Sequence, residues 1–591
     1  MSEIEQRLSA IRQHMQQQQI DAWIITGSDP HGSEYVAPRW RTRAWISGFT
    51  GSAGTVVITA NRALLWVDSR YFIQAEQEIA DTSFELMKLD TPSVTDYKQF
   101  LVDSLDYGAV VGTCHLYMTM AAARALRAAF APKKLSLVFT DDWFDNVWTD
   151  RPAIPCNRVT EMSQEIAGVS AQEKIEHIRA RLVENTCSHT IISSLDDIAW
   201  ILNLRGDDIP YNPVFMAYLM ISLTDVVLFT DVAHFDDALL EHLTQLCTLR
   251  QYDEVFSSCS AACNQIDVLY LCPEKTNMRL QSTIPVRVTI MEGRDISTEL
   301  KARKTPVEIE GMRRAHLLDG IAMVTLLAQL DRESTVFTEV SLAQRLAELR
   351  SMHEEYIGPS FAPIAGYQSH GALNHYSASE ASDRELTGNG LLVLDTGGQY
   401  TCGTTDITRT LVFGEPTEQM KQDYTRVLKG NLALASQRFP QGTFGYQLDV
   451  LARQYLWQAG LSYGHGTGHG VGFCLNVHEG PQNISPKTIT APLDIGVILS
   501  DEPGIYRTGE YGIRLENLVV VQRDATTTFG DFYAFEVLTL CPFERKLIVK
   551  EMLSEVELTM LNAYHQWVYE ELSDRVPETV ATYLKEATLP L

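Results

Sequence analysis

The sequence predicts an α+β protein, with two similar α/β domains ahead of a larger domain that has helices outside and a sheet inside. Three observations carry that expectation. A helix pattern followed by strand-like apolar runs occurs twice, about 165 residues apart. A strong helix start stands near residue 300. Beyond it, long helical patterns alternate with short apolar runs, and the chain finishes mostly as strand and loop after residue 460.

The elements follow in order. Ile4, Leu8, Ile11 and Met15 share one helical face. Ala22-Trp-Ile-Ile-Thr26 reads as a strand, and 51–58 and 63–68 read as two more, joined by a polar turn at Asn61-Arg62. In the second stretch Ile175, Ile178 and Leu182 mark a helix, 190–193 a strand, and 218–222 with 226–230 a hairpin pair. Pro152, Pro155 and the polar segment from Thr160 mark the boundary between the two. The expected domains are therefore 1–155, 156–300 and 301–591. The second is either a duplicate of the first or a convergent use of the same pattern.

Thr305-Pro-Val-Glu308 is a capping box with proline at the first helical position, and Met312, Ala315, Ile321, Met323, Val324 and Leu327 follow it. Further helices are expected at 338–352, 417–438 and 445–459, the last stopped by Gly460. Strands are expected at 391–395 and 406–413. A second capping box, Ser554-Glu-Val-Glu557, opens a final helix with Leu558, Leu561, Tyr564 and Trp567.

Composition excludes several classes. A chain of 591 residues is too long for one core. A formal net charge of −27 argues against nucleic acid or an anionic membrane as partner. No apolar run approaches the roughly 18 residues of a membrane span. The polar start, Met-Ser-Glu-Ile-Glu-Gln, lacks the basic and apolar regions of a secretory signal. The ten cysteines are scattered; Cys259 and Cys263 are four apart but have no partner pair at zinc spacing. Reduced thiols in a cytoplasmic protein are the expectation.

The candidate chemistry lies in the last half of the chain, at Asp395, Asp406, His469, Glu502 and Glu516. Asp395 ends one apolar run and Asp406 begins the next, so a hairpin-like return would bring them together. His469 lies in Gly464-His-Gly-Thr-Gly-His-Gly470. His465 and His469 have the spacing of a zincin helix, but the intervening Gly-Thr-Gly lacks the catalytic Glu and the glycines forbid a stable helix. A phosphate loop also fails, for want of a G-x-G-x-x-G register and a following Lys-Ser/Thr. Glu502 follows a strand-like run and is held by Pro503-Gly504, and Glu516 sits in the apolar run 512–521 with Arg514 two positions before it. Each has a plain structural explanation: a turn-forming Asp, a glycine loop with incidental histidines, an Arg514–Glu516 ion pair. Together, four carboxylates and one imidazole make a hard donor set with charge for two divalent cations, and that set favours manganese or a similar ion over a thiolate or all-histidine metal site.

Asn374-His375-Tyr376, the loop from Gly464 to Gly472 and Asn476-Val-His478-Glu-Gly-Pro481 closely resemble the pita-bread metallopeptidases, the family of methionine aminopeptidase, prolidase and aminopeptidase P. The order Asp, Asp, His, Glu, Glu is that family's ligand order. The match is sharpest to its long, three-domain cytosolic branch. Ser33-Glu-Tyr-Val-Ala-Pro38, Ser47-Gly-Phe-Thr-Gly-Ser-Ala-Gly54 and Asp68-Ser-Arg-Tyr-Phe72 are similar to that branch's first domain. The resemblance implies a C-terminal pita-bread domain behind two creatinase-N-like domains, and hydrolysis of the N-terminal Xaa-Pro bond with two divalent metal ions.

It also implies roles. Asp395 would chelate one ion with both oxygens, Asp406 and Glu516 would bridge the two, and His469 and Glu502 would complete the second. Glu502 would accept the proton of the attacking water. His375 and His478 would hydrogen-bond the substrate or the tetrahedral intermediate, and His465 would help to form the proline pocket. Arg514 would orient a ligand carboxylate, and Tyr506 would stand beside the active site. A cytoplasmic homodimer is implied, acting on peptides with proline in second position. An Xaa-Pro bond has no N–H to donate, so a pocket of imidazole edges and apolar groups suits the ring. Two alternatives stay open: a prolidase, and a non-catalytic binding protein on the same fold.

Overall fold

Ala22–Thr26 is buried almost throughout, because it runs inside a six-stranded mixed sheet. The strand order across that sheet is Phe84–Lys88, Ala63–Val67, Thr55–Thr59, Ala22–Thr26, Val110–Cys114, Ser136–Thr140. The pairings run parallel, antiparallel, antiparallel, parallel, parallel. A second sheet has the order Thr248–Arg250, Val226–Phe229, Tyr218–Ser222, His189–Ile192, Val268–Leu271, Thr289–Glu292, with the same series of pairings. Two similar α/β domains are therefore present, as the repeated pattern predicts. The structure is a computed structural model and describes residues 2–89, 91, 94–332 and 336–591.

Each sheet is preceded by the helix that the periodicity predicts. Glu3–Gln17 starts at Ser2, whose hydroxyl accepts from the Glu5 N–H, and it buries Leu8, Ile11 and Met15. Ala171–Glu184 starts on a reciprocal capping box between Ser170 and Glu173 and buries Ile175, Ile178 and Leu182. Spacings of three and four keep each trio on one face. One apolar core takes Ile24, Val57, Leu64 and Val111 from the first sheet and Ile191, Tyr218, Leu269 and Leu271 from the second. Residues 1–162 and 169–297 make up this compact unit.

Thr298–Leu591 forms a second compact unit, together with Ser163–Gly168. Its long helix, Pro306–Arg332, opens on the expected capping box: Thr305 N–H donates to Glu308 and the Glu308 N–H donates to Thr305. With helix Glu339–Arg350 it covers the three-stranded sheet Ile364–Tyr367, Gly390–Thr396, Ile407–Phe413 through Met323, Leu326, Leu342, Leu346, Leu392 and Leu394. Every residue of Gly390–Thr396 is buried, and each of its large apolar side chains contributes about 1.5–3 kcal/mol. Helices Glu418–Ala435 and Gly445–Trp457 contribute Leu434, Leu448 and Ala452 to the core over a six-stranded sheet, which also takes Leu499, Val519 and Val521. That sheet runs Arg438–Pro440, Gly530–Val537, Asn517–Thr527, Ile498–Asp501, Gly468–Gly470, Glu479–Ile484. Helices lie outside and sheets inside.

The apolar run 512–521 divides between two strands. Tyr511–Arg514 pairs with Gly504–Arg507 as a separate two-stranded ribbon, and Asn517–Thr527 belongs to the six-stranded sheet. Leu515 and Glu516 fall between them because their N–H groups donate elsewhere, to Pro503 O at 3.2 Å and Thr408 O at 3.0 Å. That break turns Glu516 toward the strand that follows Asp406.

Candidate active site

Gly390–Thr396 and Ile407–Phe413 pair antiparallel, with Asp395 opposite Thr408 and Thr396 opposite Ile407. The return between them carries a small hairpin, Gly398–Tyr400 with Gly403–Thr404. Asp395 at the end of one strand and Asp406 just before the other thus meet at one edge of the sheet. Glu502 directly follows the strand Ile498–Asp501, and His469 lies at the centre of Gly468–Gly470, which pairs with that same strand.

Asp406, His469 and Glu516 each offer a ligand atom, and the three atoms lie within 4.8 Å of one another. His469 Nε2 is 3.4 Å from Asp406 Oδ2 and 3.7 Å from Glu502 Oε1. Its Nδ1 lies 2.9 Å from the Gly470 carbonyl. That oxygen can only accept, so Nδ1 carries a proton and Nε2 is the ring atom that faces the cluster, free to act as a ligand once it loses its own proton. The His478 ring stands edge-on to His469, with centroids 4.4 Å apart.

Burial and mutual repulsion shape the charges. Burial pushes Asp395 up, opposed by Arg514 and reinforced by Asp406. Burial also lifts Glu516 well above the carboxylate range, reinforced by Asp406, Glu502 and Asp395. Glu502 is pushed up to about 7, by burial first and then by Asp406 and Asp395, against the opposing charges of His469 and Arg514. Burial works against a charged His469, but the hydrogen bond to Asp406 and the charge of Glu502 prevail and raise the ring to about 9. Such crowding of carboxylates is costly without cations.

The donor set fits two divalent ions on three observations. Four carboxylates converge with one imidazole, an oxygen-rich set suited to hard cations. Asp395 Oδ1 is buried without a hydrogen-bond partner. One guanidinium, Arg514, leaves most of the four negative charges unbalanced.

Arg514 anchors a chain of contacts away from the cluster. It pairs with Asp395 Oδ2 and donates to Tyr506 Oη at 2.6 Å. Tyr506 in turn bonds His465 Nε2 at 2.8 Å, and His465 Nδ1 meets the Gly466 carbonyl at 2.7 Å. Arg514 also reaches the Asn374 carbonyl at 3.4 Å, next to His375. The Arg514–Glu516 pair that sequence allows is not formed; the strand break sends the two side chains to different partners.

Several positioning residues were not anticipated. Thr408 Oγ1 donates to Glu516 Oε2 at 2.8 Å. Ser500 accepts from the His469 N–H at 3.0 Å and lies 3.3 Å from Glu502 Oε1. Both stand two residues from a candidate ligand, so period-two counting along the chain finds them. Arg453 carries no such signal. It leaves helix Gly445–Trp457, pairs with Asp449, and holds the carbonyls of Tyr463 at 2.8 Å and His465 at 2.7 Å.

Known proteins are similar to this chain over nearly its whole length. Residues 310–523 match the family model for metallopeptidase family M24, and 531–591 match that for its C-terminal region. Residues 7–147 and 150–308 each match a creatinase/prolidase N-terminal domain. A protein of Coccidioides posadasii described as a probable Xaa-Pro aminopeptidase P is 39% identical, covering 99% of both chains. Another so described, from Aspergillus fumigatus, is 38% identical over 99% of this chain and 92% of its own. The crystal structure of X-prolyl aminopeptidase from Caenorhabditis elegans, described as a cytosolic enzyme with a di-nuclear active site, superposes with a TM-score of 0.92 at 34% identity, over 97% of this chain and 95% of that one. Xaa-Pro dipeptidase from Bacillus anthracis shares the fold at a TM-score of 0.51 and 24% identity, over 64% of this chain and 99% of its own. The chain belongs to metallopeptidase family M24, with two creatinase-type N-terminal domains and a pita-bread C-terminal domain.

Proposed function

We propose that this metalloaminopeptidase hydrolyses the N-terminal Xaa-Pro bond of peptides and releases the first residue. The observation that carries the reading is the convergence of Asp406, His469 and Glu516 within 4.8 Å, with Glu502 3.7 Å from His469. Whole-length similarity to proteins named for Xaa-Pro cleavage supports it. Two divalent ions, proposed to be manganese, would be held by Asp395, Asp406, His469, Glu502 and Glu516. They would supply a lowered pKa for the attacking water and charge for the developing oxyanion.

The chain's own groups do the rest. Asp395, with one oxygen fixed by Arg514, would serve as a ligand together with Asp406 and Glu516. Glu502 takes the proton from water and passes it to the departing prolyl nitrogen. His478 and His375 hydrogen-bond the carbonyl oxygen as it becomes tetrahedral. His465, held by Tyr506, lines the proline side. A tertiary amide leaves no N–H to satisfy there. The acidic cluster attracts the substrate's free amine and confines attack to the first bond.

The proposal extends to a cytoplasmic homodimer with domains 1–155, 156–300 and 301–591. Family-model limits at 147/150 and 308/310 support the division. Among the described residues no helix is long and apolar enough to cross a membrane.

Release of arginine from Arg-Pro-Pro, set against Arg-Pro and Met-Ala, tests the activity. Turnover of the tripeptide that chelator abolishes and manganese restores is expected. Cleavage of the dipeptide alone would make this a prolidase, and no cleavage of any peptide would make it a binding protein. His478→Ala is expected to lower kcat by about 10²-fold or more with bound metal unchanged. Parallel loss of metal and rate, by elemental analysis beside turnover, would make His478 a ligand instead.

A further inference from the structure

Glu339 is a carboxylate with no exposed surface, standing at the first position of helix Glu339–Arg350. Burying such a charge is costly unless its oxygens are saturated with donors. They are. Glu339 Oε1 accepts from the Tyr367 N–H at 2.7 Å. His370 Nδ1 lies 2.9 Å from Oε1 and 3.0 Å from Oε2. The Tyr376 hydroxyl donates to Oε2 at 2.9 Å. The helix N-terminus adds a favourable field.

These donors come from the two ends of one short segment. Tyr367 and His370 open it, and Tyr376 closes it, so one carboxylate grips both flanks of His375. The His370 ring stacks on Tyr376, with centroids 4.4 Å apart. Arg384 completes the clamp. It donates to His370 Nε2 at 2.9 Å, to Ser369 Oγ at 3.1 Å and to the Tyr367 carbonyl at 3.2 Å. Since a guanidinium can only donate, His370 Nε2 accepts and Nδ1 carries the proton toward Glu339. The Arg384 carbonyl accepts in turn from the Glu339 N–H at 3.0 Å, which closes the ring of contacts. Midway along the segment the backbones of Gly371 and Gly512 touch; a Cβ on Gly512 would stand 1.7 Å from the Gly371 oxygen. Gly512 lies two residues before Arg514, so the gripped segment is fixed against the ribbon that carries the Arg514 guanidinium.

We infer that Glu339, with His370, Tyr376 and Arg384, is a positioning cluster that sets where the His375 imidazole stands for catalysis. None of the four is among the proposed ligands. The inference deepens the reading of His375 as a substrate-contacting residue and depends on it. A displacement of about 1 Å in such a group costs on the order of 10²-fold in rate. Glu339→Gln keeps the shape but replaces one acceptor oxygen with an NH₂ that faces donors.

The test is a double-mutant cycle in the metal-loaded enzyme on Arg-Pro-Pro, with wild-type turnover measured first so that failure of the peptidase reading is seen separately. Glu339→Gln is expected to lower kcat about 10- to 100-fold, with KM and bound metal little changed. In a His375→Ala background the same change is expected to cost less than about twofold, because coupled residues are non-additive. Tyr376→Phe removes one hydroxyl and little else, and keeps the test open if Glu339→Gln does not fold. It is expected to give a smaller loss, about three- to tenfold, with the same non-additivity. Undiminished kcat in both variants, additive losses in the His375→Ala background, or loss of metal in step with rate would overturn the inference.

Discussion

Glu502→Gln is expected to lower kcat on Arg-Pro-Pro by about 10³-fold or more, the upper part of the range for removing a general base. The amide is nearly the same shape and can keep the contact to Ser500 Oγ, 3.3 Å away in the native side chain. It cannot accept a proton from water. The substitution also removes one of four negative charges, so some loosening of bound metal is expected. Elemental analysis of the purified variant separates the two effects. At saturating manganese the metal content should recover and the rate should not. A variant that holds full metal and full rate would remove Glu502 from the proton pathway.

The convergence of Asp406, His469 and Glu516 joins residues that the sequence already singled out as candidates. Asp395, Asp406 and Glu502 stand at ends of apolar runs and His469 in a glycine loop, because a strand end is where a rigid scaffold can offer a polar side chain; Glu516 instead lies inside an apolar run. The repeated helix-then-strand pattern reported the two N-terminal domains, and each capping box reported a helix start: Ser554–Glu557 opens Glu555–Leu572 as surely as Thr305–Glu308 opens Pro306–Arg332. The break at Leu515–Glu516 was not legible. It depends on N–H groups finding Thr408 and Pro503, which lie far away or across a turn in sequence. The partner of Arg514 was hidden for the same reason, since Asp395 is 119 positions away. Arg453 and Glu339 were missed because each acts on backbone or loop groups, and a helical Arg or Glu has many uses that leave the same letter in the sequence.

Stripping the metal is expected to lower the thermal midpoint of the protein, and the deficit should widen as pH rises. The carboxylates set the sign. Glu502 moves from an ordinary 4.5 to about 7 in the folded, metal-free protein. Between those values the folded state holds a proton that the unfolded chain releases, so stability from this group falls as pH rises through the window. The shift corresponds to about 3 kcal/mol. Asp395 and Glu516 are displaced in the same direction by burial and by their neighbours. His469 is raised to about 9, and a raised imidazole also contributes stability below its unfolded value of 6.5 that is lost as pH climbs through 9. All four slopes therefore point the same way: the metal-free protein weakens from about pH 5 to about pH 9. Divalent ions bind the deprotonated oxygens and the neutral ring, so their affinity grows over the same range as protons cease to compete. Each ion at a thousandfold excess over its Kd adds about 4 kcal/mol. For a domain of this size that corresponds to on the order of 5 °C per site. Scanning calorimetry with manganese and with chelator, at pH 5.5, 7 and 8.5, reads the gap directly. A gap that is absent, or that narrows with rising pH, would show that these five side chains do not form a common cation site, whatever the peptide assays report.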